Sequence, residues 1–129
     1  MFSVYKSDAG AVPPWEYMEA AAGTYKAGQL VTVTSGKIAA LTAASTTTPP
    51  YLCMADAEVA AGELLPVVRT SKDHIYATTL GAAAASAVVG TKLQVAKDGL
   101  TVNASAEGTF EVTYIEGTAA GNVVHGRWV

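Results

Sequence analysis

The sequence predicts a small all-β domain assembled from hairpins, preceded by an extended N-terminal arm and holding at most one short helix. Three observations carry that expectation. Apolar and polar residues alternate with a period of two through several short runs, as in "GQLVTVTSGKIAAL". Single glycines and Ser-Gly or Asp-Gly pairs punctuate those runs as hairpin turns do. The composition is 50% hydrophobic and 15% charged, rich in Ala, Val, Leu and Thr, which suits thin pleated packing better than a Glu- and Lys-rich helix bundle. At 129 residues the chain has the size of one domain.

Residues 1–23 read as the arm and 24–129 as the β domain. The arm has no sustained period, and Pro13 and Pro14 remove two backbone donors. "WEYMEAAA" has the makings of a turn or two of helix. From Gly28 the alternation begins, with a Ser35-Gly36 turn and a return strand over Lys37 to Leu41. "TAASTTTPP" is a polar loop. Strands follow near Leu52 to Ala55 and at Leu64 to Thr70; Pro66 cannot donate to a ladder, which places the second at an edge or a bulge. "HIYATTL" is a further strand, and Ala82 to Val89 is the candidate helix, since Ala has the best helix propensity. "TKLQVA", "LTVN", "GTFEVTYIEG" and "NVVHGRWV" complete the β pattern, with Asp98-Gly99 as a type I′ turn pair. "GQLVTV" and "GTKLQV" echo one another, with "GELLPV" as a weaker third copy. Convergent hairpins and a pseudo-symmetric barrel of repeated hairpins both account for the echo.

Several function classes find little support. The net charge of −3 offers no general basic field, so neither nucleic acid nor membrane is an expected partner. One cysteine cannot form an internal disulfide, and it suits a reducing compartment. The front lacks a basic stretch followed by an apolar run, and "LGAAAASAVVG" is too short for a membrane span, so a soluble protein made in a cytosol is expected.

A nucleophile needs a base within reach. Cys53 with His74 or His125, and Asp56 or Asp73 behind them, is the available set, yet "YLCMA" reads as an apolar strand in which a cysteine is a small core side chain. The scattered His and Asp residues match no zinc or calcium spacing, the glycines form no phosphate cradle, and no cofactor is expected. Lys97 on a hairpin tip superficially resembles the modified lysine of lipoyl and biotinyl carrier domains. It lacks the flanking residues of those domains and reads as a solvated neighbour of the turn. No enzyme is expected.

The aromatic residues are unevenly placed. Of the ten in the chain, Phe2, Tyr5, Trp15, Tyr17 and Tyr25 fall within the first 25 residues. The gain from burying four of these rings does not exceed the conformational entropy lost by fixing the arm. Met1 to about Val12 is therefore expected to order only in an assembly, while Trp15 and Tyr17 cap their own domain. At the other end His125 and Arg127 share one strand face, opposite Val124 and Trp128. Phe2, Tyr5, Trp15, Tyr17, Arg127 and Trp128 are the candidate residues for contact with a partner or a neighbouring subunit.

The succession "AGTYKAGQLVTVTSGKIAAL", "PPYLCMADAEVAAGELLPVVRT" and "VGTKLQVAKDGLTV", ending in β-rich sequence, resembles the head decoration, or capsid cement, proteins of tailed bacteriophages. The likeness spans roughly residues 20–116. It implies a small β-barrel or β-tulip domain on the outside of a virion capsid, contacting the major capsid protein and itself, as a trimer or other homo-oligomer, and stabilising the shell by bridging neighbouring subunits. An aromatic arm departs from the polar, Gly- and Thr-rich arms of that group. The alternatives are another self-assembling virion component, such as a tail-tube or head-completion subunit, and a carrier-type small β-barrel.

Overall fold

A computed structural model describes residues 1–7, 10 and 13–129, and among them there are thirteen strands and no helix. In chain order these are β1 (Ser3–Ser7), β2 (Glu16–Glu19), β3 (Gly23–Tyr25), β4 (Leu30–Thr34), β5 (Lys37–Ala40), β6 (Tyr51–Cys53) and β7 (Ala57–Val59). Then come β8 (Leu64–Arg69), β9 (His74–Thr79), β10 (Lys92–Val95), β11 (Val102–Ala104), β12 (Phe110–Ile115) and β13 (Val123–Trp128). A large six-stranded sheet runs β1-β9-β13-β12-β10-β11, a five-stranded sheet runs β2-β8-β6-β4-β5, and β3 with β7 makes a short ribbon. Every ladder pairing is antiparallel.

The all-β expectation holds, and of the two forms expected, a small barrel or a β-tulip, the closed barrel is not formed: the sheets remain open. In the five-stranded sheet the two edges touch at one parallel bridge, Ala20 to Ile38, and the ladder goes no further.

The alternation seen in the sequence sorts side chains into two cores. On the large sheet Tyr76, Val124, Trp128, Phe110, Val112, Leu93 and Val102 point inward and meet Leu30 and Leu52 from the five-stranded sheet. The opposite face of that smaller sheet supplies Val31, Ile38, Tyr51, Cys53, Leu65 and Val67 to a second core, closed by Tyr25 and Val59 of the ribbon. The smaller sheet is thus buried on both faces. This explains why β6, "YLC", shows no alternation at all: all three residues are buried.

The β4–β5 hairpin forms as its sequence requires. Thr34 opposes Lys37, and the two residues between them, Ser35 and Gly36, have φ of 51° and 78°. That is a two-residue type I′ turn, whose twist matches the strands it joins.

Asp98-Gly99 turns differently from expectation. Gly99 N donates to Ala96 O, so Lys97 and Asp98 are the central residues and Gly99 follows them with φ 70°. Asp98 Oδ1 instead accepts from Leu100 N at 2.8 Å, a side-chain turn of its own.

Three other expectations are corrected. "WEYMEAAA" is not helical: β2 pairs with β8 from Glu16 to Glu19, and Ala20 is locked by backbone bonds to Glu63 and Gly62. Ala82 to Val89 is a chain of turns, held by one distant backbone bond and by core contacts. Ala84 N bonds Thr118 O, while Ala84 and Ala87 fill the main core. Eight residues of good propensity do not outweigh such partners, since a short helix is marginal alone. Pro66 lies in an interior strand, β8, between β2 and β6. Its carbonyl accepts from Met54 N, so its nitrogen faces β6 just past the last paired residue, Cys53, and no ladder bond is lost.

The largest correction concerns the front of the chain. Residues 3–7 are the edge strand β1, paired with β9 from Ser3↔Ala77 to Ser7↔His74. Phe2 is 2% exposed and stands edge-on to Phe110, with centroids 5.9 Å apart and planes at 86°, and 6.1 Å from Trp128. Its amide donates to Gly28 O at 2.8 Å. The front of the chain orders at home because its partner edge, β9, belongs to the same chain, and ladder bonds add to the ring burial. The expected boundary between residues 23 and 24 falls inside β3. Asp8 and Val12, the far end of the expected arm, lie outside the described residues.

Phe2→Ala should therefore cost about 3–5 kcal/mol in urea unfolding, and the paired β1 amides should exchange slowly with deuterium in the dilute monomer. A loss below about 1 kcal/mol with rapid β1 exchange would remove Phe2 from the core.

Candidate functional site

The six residues expected at a partner surface do not converge. Phe2 and Trp128 are core residues, 2% and 1% exposed, and are out of reach of any partner. Trp128 alternates inward with Val124 and Gly126, and its ring meets Phe110 at 5.0 Å. Gly126 makes room for this packing, because a Cβ there would lie 2.5 Å from the Phe110 ring. The remaining four residues divide between two places, Tyr5 and Arg127 on the large sheet and Trp15 and Tyr17 at the edge of the smaller one.

Trp15 and Tyr17 are 50% and 64% exposed, so they do not cap their own domain. Pro13 and Pro14 deliver the chain to β2, an edge strand paired only with β8 along its length. Along β2 the inward residue is Met18, which packs on the second core, so Tyr17 must face out opposite Pro66. Leu64, opposite Glu19, adds a side chain 59% exposed. Beside this edge runs an apolar cleft of about 340 Å³, lined by Trp15, Met1, Val4, Leu52, Met54 and Val68 among others. A second cleft of about 410 Å³ lies across Pro13 and includes Glu16, Arg69 and His74. The Pro-Pro-Trp segment is a ridge between two hollows, with large rings available to another surface.

The chemistry-bearing residues do not assemble. Cys53 is fully buried in the second core, and its Sγ donates to Ala55 O at 3.1 Å. Burial pushes its thiol pKa up, which holds it in the unreactive protonated form. His74 and His125 are on the large sheet, and Asp56 Oδ1 is taken by the Ala27 amide at 2.9 Å. Ser7 and His74 oppose one another across β1 and β9, yet Ser7 Oγ and His74 Nδ1 are both buried without a hydrogen-bond partner. No group of three His, Cys, Asp or Glu side chains able to hold a metal ion occurs among the described residues. Lys97 is exposed in the Ala96–Gly99 turn, beside an open groove that includes Gln29, Asp98 and Asn103.

The sequence reading missed one cluster. Tyr114 and Tyr5 both stack on His125, with centroids 5.1 and 4.1 Å away. A faint signal was present. Phe110 and Val112 alternate inward, but the next inward residue is Ile115, which implies an extra residue at Thr113–Tyr114.

Burial also raises the pKa values of Tyr25 and Tyr76. A raised pKa means the folded chain holds its proton more tightly than the unfolded one, so stability falls as pH climbs past the unfolded value. For Cys53 that window opens at about pH 8.5, and for the tyrosines at about pH 10. The stability difference between the natural chain and Cys53→Ala should narrow above about pH 8.5, by at most about 1.4 kcal/mol per pH unit. Urea midpoints at pH 7, 9 and 10 measure this; a pH-independent difference would mean that the thiol is not desolvated.

No protein-family model matches the chain, and a search of curated proteins finds no relative of it.

Proposed function

We propose that this protein is a structural component of a tailed-bacteriophage head, bound to the outer surface of the capsid and stabilising it by bridging neighbouring capsid subunits. The observation that carries the reading is the pair of exposed rings at an edge strand, Tyr17 on β2 and Trp15 just before it, where Trp15 lines an apolar cleft. Aromatic anchors next to a hollow are the composition of interface hot spots. The free side of β2 also offers backbone groups to a strand from a partner. The resemblance of the sequence rhythm to that of decoration proteins supports the major capsid protein as the partner. Repeated attachment across a lattice, or through a homo-oligomer, makes modest contacts sufficient.

This reading places the contact on the Pro13–Tyr17 ridge and no longer on a loose arm, since Phe2 and β1 are occupied at home. A second reading, a ring- or tube-forming virion subunit, draws on the large sheet being open at β1 and β11. Rings or tubes from the purified protein alone would favour it.

The test is cosedimentation and electron microscopy with undecorated capsid shells. Wild-type protein should be retained at regular sites on the shell. Trp15→Ala with Tyr17→Ala should weaken retention at least tenfold, about 1.4 kcal/mol or more, with the urea midpoint little changed because both rings are already half solvated. Shells that retain the double variant as well as the wild type would dismiss the ridge, and shells that retain neither would dismiss the capsid.

A further inference from the structure

The outer face of the large sheet carries a built arrangement that core packing does not explain. His125 is flanked by two tyrosines, Tyr5 at 4.1 Å and 34° and Tyr114 at 5.1 Å and 45° between ring planes. Both tyrosines stand at register shifts: Tyr5 is the unpaired residue between Val4 and Lys6, and Tyr114 follows the shift after Val112. A bulge re-aims a side chain at the cost of local pairing. Tyr5 must also reach over β9 to meet His125, and the β9 residue opposite His125 is Ala77, small enough to leave the gap. Despite this, Tyr5 and Tyr114 remain 56% and 50% exposed.

Charge on this face runs against the rest of the chain. The open depression of about 510 Å³ over these rings is lined by Tyr5, Lys6, Ile75, Thr113, Tyr114 and His125, with no carboxylate among the described residues. In the neighbouring row Glu111 lies between Lys92 and Arg127. Among the described residues Lys6, Lys92 and Arg127 therefore share this face with Glu111, while Glu116, beyond Tyr114, turns its carboxylate to the Val123 amide and the Asn122 side chain, in a protein that has eleven Asp and Glu against eight Lys and Arg.

We propose that this face binds an acidic polysaccharide, a glycan whose sugar rings carry carboxylates. The free faces of Tyr5 and Tyr114 take the flat C–H faces of sugar rings. The tyrosine and Thr113 hydroxyls exchange hydrogen bonds with sugar hydroxyls, and Lys6 and Arg127 pair with carboxylates. A polypeptide fits less well. It would need a free sheet edge or a pocket for a side chain, and here β1 is broken by the Tyr5 bulge and followed by Lys6, while β11 has three residues. A single nucleic acid strand is the rival polyanion that also stacks on aromatic rings, and its binding is an outcome of the test.

The test uses the isolated protein, so its result is independent of whether the protein decorates a shell. Oligogalacturonate and hyaluronate fragments are titrated into the labelled protein and followed by NMR. At least one should bind with a dissociation constant below about 1 mM, with shifts confined to Tyr5, Lys6, Thr113, Tyr114, His125 and Arg127. Tyr114→Ala and Tyr5→Ala should each weaken binding about tenfold, and Lys6→Gln severalfold, with unchanged urea midpoints for Tyr114→Ala and Lys6→Gln. No binding of either fragment at about 10 mM would overturn the proposal. So would equal binding of a neutral cello-oligosaccharide, of polyglutamate or of oligo-dT, or shifts that lie elsewhere or survive Tyr114→Ala.

Discussion

The aromatic contact among Phe2, Phe110 and Trp128 joins the second residue of the chain to its penultimate one, and the rest of the architecture depends on it. Phe110 and Trp128 are cross-strand partners on β12 and β13, and Phe2 closes the wedge from the front of β1. Two glycines make the approach possible. Gly126 leaves room for the Phe110 ring, and at Gly28 a Cβ would meet Met1 and the Phe2 carbonyl. Since Phe2 N also bonds Gly28 O, the wedge ties the large sheet to the loop that enters β4 in the smaller sheet. Edge-to-face ring pairs add roughly 0.5–1.5 kcal/mol each beyond area burial. In a fold whose apolar share is mostly Ala, Val and Leu, such a cluster is the densest source of cohesion available.

The smaller sheet, buried on both faces, is the second constraint. Leu30 and Leu52 serve the core shared with the large sheet, while Val31, Tyr51 and Cys53 serve the core under the ribbon. The outer face of the large sheet and the β2 edge are among the regions this layering leaves to solvent. Both candidate surfaces occupy those regions, and the layering is the physical reason.

Much of the β pattern was legible because strand alternation and turn chemistry are local. The Ser35-Gly36 hairpin, β9, β10, β12 and β13 all follow from period-two runs bounded by turn residues. Apart from the Asp98-Gly99 turn, where Asp98 caps its own loop, the failures share one cause: the partner lay far away in the sequence. Ala82 to Val89 looks helical until Thr118 and the main core claim its backbone and side chains. Pro66 looks like an edge residue until β6 is seen to end opposite it. The front segment looks homeless until β9 offers an edge in the same chain. For the site the division is similar. Exposed Trp15 and Tyr17 could be singled out as rings in an unpatterned stretch, whereas the stack on His125 arises from two bulges and a small residue on a third strand, a coincidence of register that no local window contains.

The two exposed aromatic surfaces differ in how they depend on the core. Tyr17 stands on β2, whose ladder to β8 and the second core includes no part of the Phe2 wedge. Tyr5 stands on β1, three residues from Phe2, and its position over Ala77 is set by the same strand that the wedge anchors. A change at Tyr17 and one on the large sheet share no partners, so their energies should add, whereas Trp15 lines a cleft with Met1, Phe2 and Val4 and is coupled to the front of β1. A change at Phe2 acts on both the fold and the Tyr5 stack. The wedge is therefore more than a structural closure: it converts a segment too poor in pattern to fold alone into the support of a rigid aromatic face.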